Sequence, residues 1–199
     1  MASEVEICNL ALTQMGKPPI ESRDEGSVEA KACDTMYPRA LEAVLRAAPW
    51  NFTARIKALA LVSGQSIPGW KYLYGVPAGC LFVRKVFSEA DVHQPKPRQH
   101  RLMIAPDTDV TVIATNVEKA YAEFSWNVSD IALMDGLCVE ALALHLAALL
   151  SVPLAGDKAM AQTFAGLYGM KLDEARRVNE AENNENDKGA NHSEFLEAR

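Results

Sequence analysis

Residues 70–87 read "WKYLYGVPAGCLFVRKVF". In the first half, Trp70, Tyr72, Tyr74 and Val76 alternate with other residues. That period of two points one face of a β-strand toward a core. The second half is dense in β-branched and aromatic residues, and Pro77-Ala78-Gly79 between the halves is turn chemistry. This stretch excludes an all-helical chain. Its neighbours extend the pattern: "RIKALALV" (55–62), "RLMIA" (101–105), "VTVIAT" (110–115) and "KAYAEFSW" (119–126) are short runs of the same kind. "APDTDV" (105–110) between two of them reads as a tight turn. Residues 55–126 are therefore expected to form an inserted, small antiparallel β-sheet.

The flanks have a different period. Ser3 with Glu6 forms a capping box; Ile7, Leu10, Ala11 and Met15 follow at helical spacing, and Gly16 before Pro18-Pro19 ends the helix. A second helix should start near Ser27, with Ala30, Cys33, Tyr37, Leu41, Val44 and Ala48 as its apolar stripe. Pro38 inside it should kink or split it, and Pro49 ends it before Trp50 and Phe52. A third helix is expected after Ser129 or Asp130. From Ile131 to Leu150 its titratable side chains are Asp135, Glu140 and His145, on three different sides. It is apolar nearly all round, as suits a central bundle helix partly covered by a neighbouring subunit. Three ionisable groups and many alanines argue against a membrane span. Pro153 and Gly156 should break the chain, and Asp157 should cap a fourth helix with Phe164, Tyr168, Leu172, Ala175 and Val178 inside. That helix should fade by Glu182.

The expected fold class is thus α+β: a mainly helical bundle of about four helices with an inserted antiparallel β-sheet and an extended C-terminal tail. Residues 1–54 and 127–182 form the bundle, 55–126 the β domain, and 183–199 a flexible C-terminal arm. The arm lacks large apolar residues from Glu180 to Ser193, then presents Phe195 and Leu196 together. Such a composition supports no core of its own and implies disorder in the free chain. Its seventeen residues reach up to roughly 60 Å when extended. Ser193 can cap a short turn, "EFLEAR", in a partner's groove.

Little in the sequence suggests catalysis. There is no G-x-G-x-x-G, no phosphate-binding loop and no H-E-x-x-H, and no cofactor or metal is expected. His93 and His100 flank two prolines in "EADVHQPKPRQHR", which reads as a solvated loop; His145 reads as a core histidine. The cysteines Cys8, Cys33, Cys80 and Cys138 are far apart in sequence and read as reduced core residues of a protein made in a cytoplasm. "MASEVEIC" has no basic segment followed by an apolar run, so no secretory signal is expected. The net charge of −6 does not suit a sequence-specific nucleic-acid binder. One stretch is basic: Arg84, Lys85, Lys96, Arg98 and Arg101 outnumber Glu89 and Asp91 by three. Lys96, Arg98 and Arg101 are its candidate contact residues.

The ordered set "ICNLALTQMGKPPI" (7–20), "MYPRALEAVLRAAPWNFTARIKALAL" (36–61), "WKYLYGVPAGCLFVRKVF" and "GLCVEALALHLAALLSVPLAGDKAMAQTF" (136–164) resembles the tail tubular protein A family of short-tailed phages. The resemblance covers about residues 5–180. It implies a virion structural protein assembled in the host cytoplasm, a homo-oligomeric ring, usually of twelve subunits, docked beneath the portal protein. Such a ring extends the channel for passing double-stranded DNA, without sequence-specific binding, and meets the tail nozzle protein. It implies no membrane and no enzymatic activity. In related adaptors a C-terminal extension runs along the portal, which makes Ser193, Glu194, Phe195, Leu196 and Arg199 the candidate portal-binding arm. The loop from Glu89 to Arg101 matches no family feature. The Pro49–Phe52 corner either pins bundle to sheet, the reading its aromatics favour, or forms subunit interface. Rival readings are a head-completion or stopper protein of a long-tailed phage, a tail-borne hydrolase using Asp135, Glu140 or His145, and a nucleic-acid binder acting through the basic loop.

Overall fold

A computed structural model of the chain describes residues 3–106, 108–128 and 130–191, with residues 183–191 as backbone alone. The chain is α+β, with four α-helices and two three-stranded antiparallel sheets among the described residues. It divides into a helical unit, Met1–Phe52 with Val128–Arg199, and a β unit, Thr53–Asn127. Both boundaries fall within two residues of those expected from sequence.

In the helical unit α1 (Glu4–Gln14) begins at the capping box: Glu6 N–H donates to Ser3 Oγ at 3.1 Å, and Ser3 N–H donates to Glu6 Oε2 at 2.6 Å. Gly16, at φ +69°, takes the left-handed turn that ends it. The return loop is pinned by Asn9, whose amide group bonds both backbone groups of Ile20 at 2.8 and 2.9 Å. Ser27 caps α2 (Val28–Ala47). Of the two outcomes expected at Pro38, a kink or a split, the split does not occur: α2 runs on through it. Pro38 and Asp34, whose carbonyl loses its intrahelical donor, both lie on the exposed side of the helix. Water serves that carbonyl there at little cost.

The third helix, α3, runs Gly136–Ala155, so it starts later than Asp130. Ile131–Leu133 is instead a separate 3₁₀ turn capped by Asp130, and Asp135 caps α3 by accepting from Leu137 N–H at 2.8 Å. Asp135 and Gly136 are poor interior helix residues and a good helix start. Pro153 is kept within the last turn of α3, and the break falls at Gly156 alone, at φ +64°. Helices α1, α2 and α4 all pack on α3, burying Cys138, Ala141, Leu142, Leu146 and Leu150. Its apolarity serves that central position, although by length and composition it could also cross a membrane.

Asp157 caps the fourth helix through Met160 N–H at 2.9 Å. This helix, α4 (Lys158–Asn191), continues nine residues past the expected end at 182, so the arm as drawn from 183 starts within helical backbone. Extending a formed helix adds one hydrogen bond per residue with no new nucleation step, which offsets the weak propensity of its asparagines. The buried stripe of α4 also differs: Leu172, Ala175 and Asn179 are buried, Phe164 and Tyr168 half-buried, and Val178 exposed.

The β unit holds two sheets where one was expected. β1 (Ala54–Ala58), β6 (Ala120–Trp126) and β3 (Cys80–Ser88) pair in the order β1-β6-β3. β2 (Tyr72–Gly75), β5 (Thr111–Thr115) and β4 (His100–Ile104) pair as β2-β5-β4. The sheets meet face to face through Tyr74 and Ile113 on one side and Val86, Ala120 and Ala122 on the other. The opposite face of the β2-β5-β4 sheet buries Leu73, Val112 and Ala114 under Ile67, Val62 and Trp70. Strand β5 is therefore covered on both faces, which a single sheet with one solvated face does not provide. Tyr72, Tyr74 and Val76 share one cluster as their alternation implies; Trp70 precedes β2 and packs on the opposite face. The 105–110 turn closes the β4–β5 hairpin, with Ala105 N–H donating to Val110 O at 2.8 Å.

Candidate functional site

The Pro49–Phe52 corner is built into the helical unit from three directions. Trp50 is 1% exposed, and its Nε1–H donates to Val44 O at 2.8 Å near the end of α2. Its ring stacks on Phe52, with centroids 6.1 Å apart. Asn51 and α4 hold each other: Asn51 N–H donates to Asn179 Oδ1 at 2.8 Å, and Asn51 Nδ2 donates to Asn179 O and Glu182 Oε2, both at 3.1 Å. Asn179 Nδ2 donates back to Pro49 O at 3.4 Å, and Arg176 donates to Ala47 O at 2.6 Å. Asn179 was missed in the sequence because a lone Asn on a polar-looking helix carries no pattern. The spacing of three and then four residues from Leu172 through Ala175 to Asn179 was the available signal.

Beside this corner lies a cleft of about 250 Å³ lined by Trp50, Phe52, Leu133, Met134, Val178 and Glu182. Leu133 and Val178 are 53% and 40% exposed. The arrangement can seat one apolar side chain of a partner under an acidic rim of Asp135 and Glu182. It offers no nucleophile with a base.

The groups named for the hydrolase reading do not come together. Asp135 is the α3 cap, and Glu140 pairs with Lys171 at 2.9 Å, as does Glu174. His145 stacks instead on Tyr168 of α4, with ring centroids 4.4 Å apart. Burial holds its ionisation below the ordinary histidine value. The unfolded chain therefore takes up a proton near pH 6.5 while the folded chain resists until lower pH, so stability falls as pH drops below about 6.5. His145→Phe keeps the ring stack and should flatten this loss. Melting temperatures compared near pH 7.5 and pH 5.5 check it, and an equal drop in both proteins would refute the assignment.

The basic stretch is largely neutralised by its own fold. Arg84 and Lys85 converge on Glu123 at 3.7 and 2.8 Å, and Arg84 also donates to Thr53 Oγ1 and Ser125 Oγ. Arg98 pairs with Asp91 at 2.8 Å, and Glu89 with Lys119 at 3.3 Å. Lys96 lies exposed in the loop, and Arg101 is exposed on β4. A cleft of about 750 Å³ opens here, lined by Ser88, Glu89, Arg98, Val117, Glu118 and Lys119. Its mixed charges do not form the single-sign stripe that tracks a phosphate backbone.

Among the described residues no three His, Cys, Asp or Glu side chains cluster as a metal site. Ser193, Glu194, Phe195, Leu196 and Arg199 lie outside the described residues. The chain matches no known family model and no curated protein.

Proposed function

We propose that this chain is a structural head-to-tail adaptor of a phage particle. It forms a ring of identical subunits, docks beneath the portal, extends the DNA channel and presents a platform to the tail nozzle. The observation that carries the reading is the discontinuous architecture. One helical unit is assembled from both ends of the chain around α3, and a β unit is inserted between Phe52 and Val128. This is the arrangement that the resemblance of the Gly-Pro-Pro turn, the Pro-Trp-Asn-Phe corner and the apolar third helix implies. The acidic balance suits a conduit that must release DNA. The adaptor acts by binding, and the dispersed Asp135, Glu140 and His145 have no assigned reaction.

Co-sedimentation of the full-length chain with the portal ring of the same phage tests the reading. Near-stoichiometric retention on the ring is the expected result. Loss of the chain to the supernatant at micromolar concentration would overturn it.

A further inference from the structure

From Ala159 to Met170, α4 carries no charged residue. The inward side of this stretch, Phe164 and Tyr168, is half-buried, as a helix packed on α3 requires. The outward side is uncharged as well. Ala159, Thr163, Gly166, Leu167 and Met170 are exposed, Leu167 at 42% and Met170 at 72%. Steps of three and four residues set Ala159, Thr163, Gly166 and Met170 in one stripe along the helix. Single exposed apolar side chains need no explanation, but a charge-free stripe on a surface helix does. Depletion of charge with enrichment of methionine is the composition of interface cores. Past Met170 the same stripe turns charged, with Asp173, Glu174 and Arg177 all exposed. Gly166 leaves a notch of bare backbone one turn from Met170. A Cβ there would meet nothing within 4 Å, so nothing inside the chain demands the glycine.

We propose that this face of α4 pairs with the same face of a second copy of the chain, antiparallel about a two-fold axis. The axis crosses the stripe midway between Gly166 and Met170, so Met170 of each copy fills the Gly166 notch of the other. Knob and notch lie on one stripe and are complementary to themselves, as a two-fold contact requires. The charge layout selects the same occupant and fixes its direction. Antiparallel pairing lays Asp173, Glu174 and Arg177 of each copy against Ala159 and Thr163 of the other, so no like charges meet. Parallel pairing would set each of the three charges against its own copy, which is destabilising. The stripe from Ala159 to Arg177 is about 27 Å long on a helix about 10 Å across. That footprint falls well short of the roughly 800 Å² per partner of a standard interface. The pair is therefore weak and forms at high protein concentration. A two-fold contact closes at two copies, so it is separate from the head-to-tail contacts of a ring, and the proposal does not rest on the adaptor reading.

Sedimentation equilibrium of native full-length protein between about 5 and 500 µM tests it. The weight-average mass should rise from 21.7 kDa toward twice that value and stop there. Met170→Glu alters a side chain that the fold leaves exposed, so it should keep the helical circular dichroism and hold the mass at 21.7 kDa throughout. Thr163→Lys reads the direction. In the antiparallel pair the new cation faces Asp173 and Glu174 of the other copy, and dimerisation tightens severalfold, a gain that added salt removes. The proposal fails if the native chain stays at 21.7 kDa at every concentration. It fails if Met170→Glu associates as the native chain does, whether into a dimer or a larger ring. It fails also if Thr163→Lys weakens the pair.

Discussion

Trp50→Ala is expected to destabilise the helical unit by about 3–5 kcal/mol in denaturant unfolding followed by helical circular dichroism. The size of the effect depends on how far the site can collapse into the space left behind. Here the backbone on both sides is held: Asn51 by Asn179, Pro49 O by Asn179 Nδ2, and Ala47 O by Arg176. The walls cannot close in, so the cavity term persists in full. Loss of the indole also leaves Val44 O without the donor at 2.8 Å, adding the cost of an unpaired buried acceptor. Trp50→Phe separates the two terms. It restores most of the packed volume but not the hydrogen bond, and should lose only about 1–2 kcal/mol. A Trp50→Ala loss below about 1 kcal/mol would show that the corner is not a fixed point of the fold.

The parts that were legible in the sequence are those that a local pattern dictates. Ser3 with Glu6, Ser27, Asp157 and the Gly16 stop each bond within a few residues of themselves, so their spacing suffices. The helix–sheet boundaries were legible because the apolar period changes from 3.6 to 2. The division into two sheets was not, since strand partners are chosen by long-range burial: β5 needs cover on both faces, and no run of five residues states which strands supply it. Whether Pro38 would split its helix was not legible, because proline's cost depends on whether the freed carbonyl faces water, which is a tertiary fact. The candidate contact loop lost Arg98 to Asp91 for a similar reason: formal charge is countable in sequence and pairing is not.

The second large effect is expected at the C-terminal arm. Phe195→Ala combined with Leu196→Ala should remove the chain from the portal ring in the sedimentation assay. Each large side chain contributes roughly 1.5–3 kcal/mol on burial, so the pair accounts for a factor on the order of 10² to 10⁴ in affinity per arm. Ordering seven residues of backbone costs on the order of 7–14 kcal/mol, so one arm has little to spare, and backbone hydrogen bonds or the joint action of many tethered arms must supply the rest. Because α4 is helical to Asn191, the arm's free span is set by the residues after it, and the launching point is carried about 51 Å along the helix axis from Lys158. Two truncations locate the contact. If a chain cut after Asn191 fails to bind as completely as the double substitution, the apolar pair is the anchor. If that chain still binds and one cut after Asn183 does not, the last turns of α4 make the contact and the role given to Phe195 and Leu196 is wrong. Retention of the double variant within about threefold of the native chain, less than 1 kcal/mol, would be equally fatal to it.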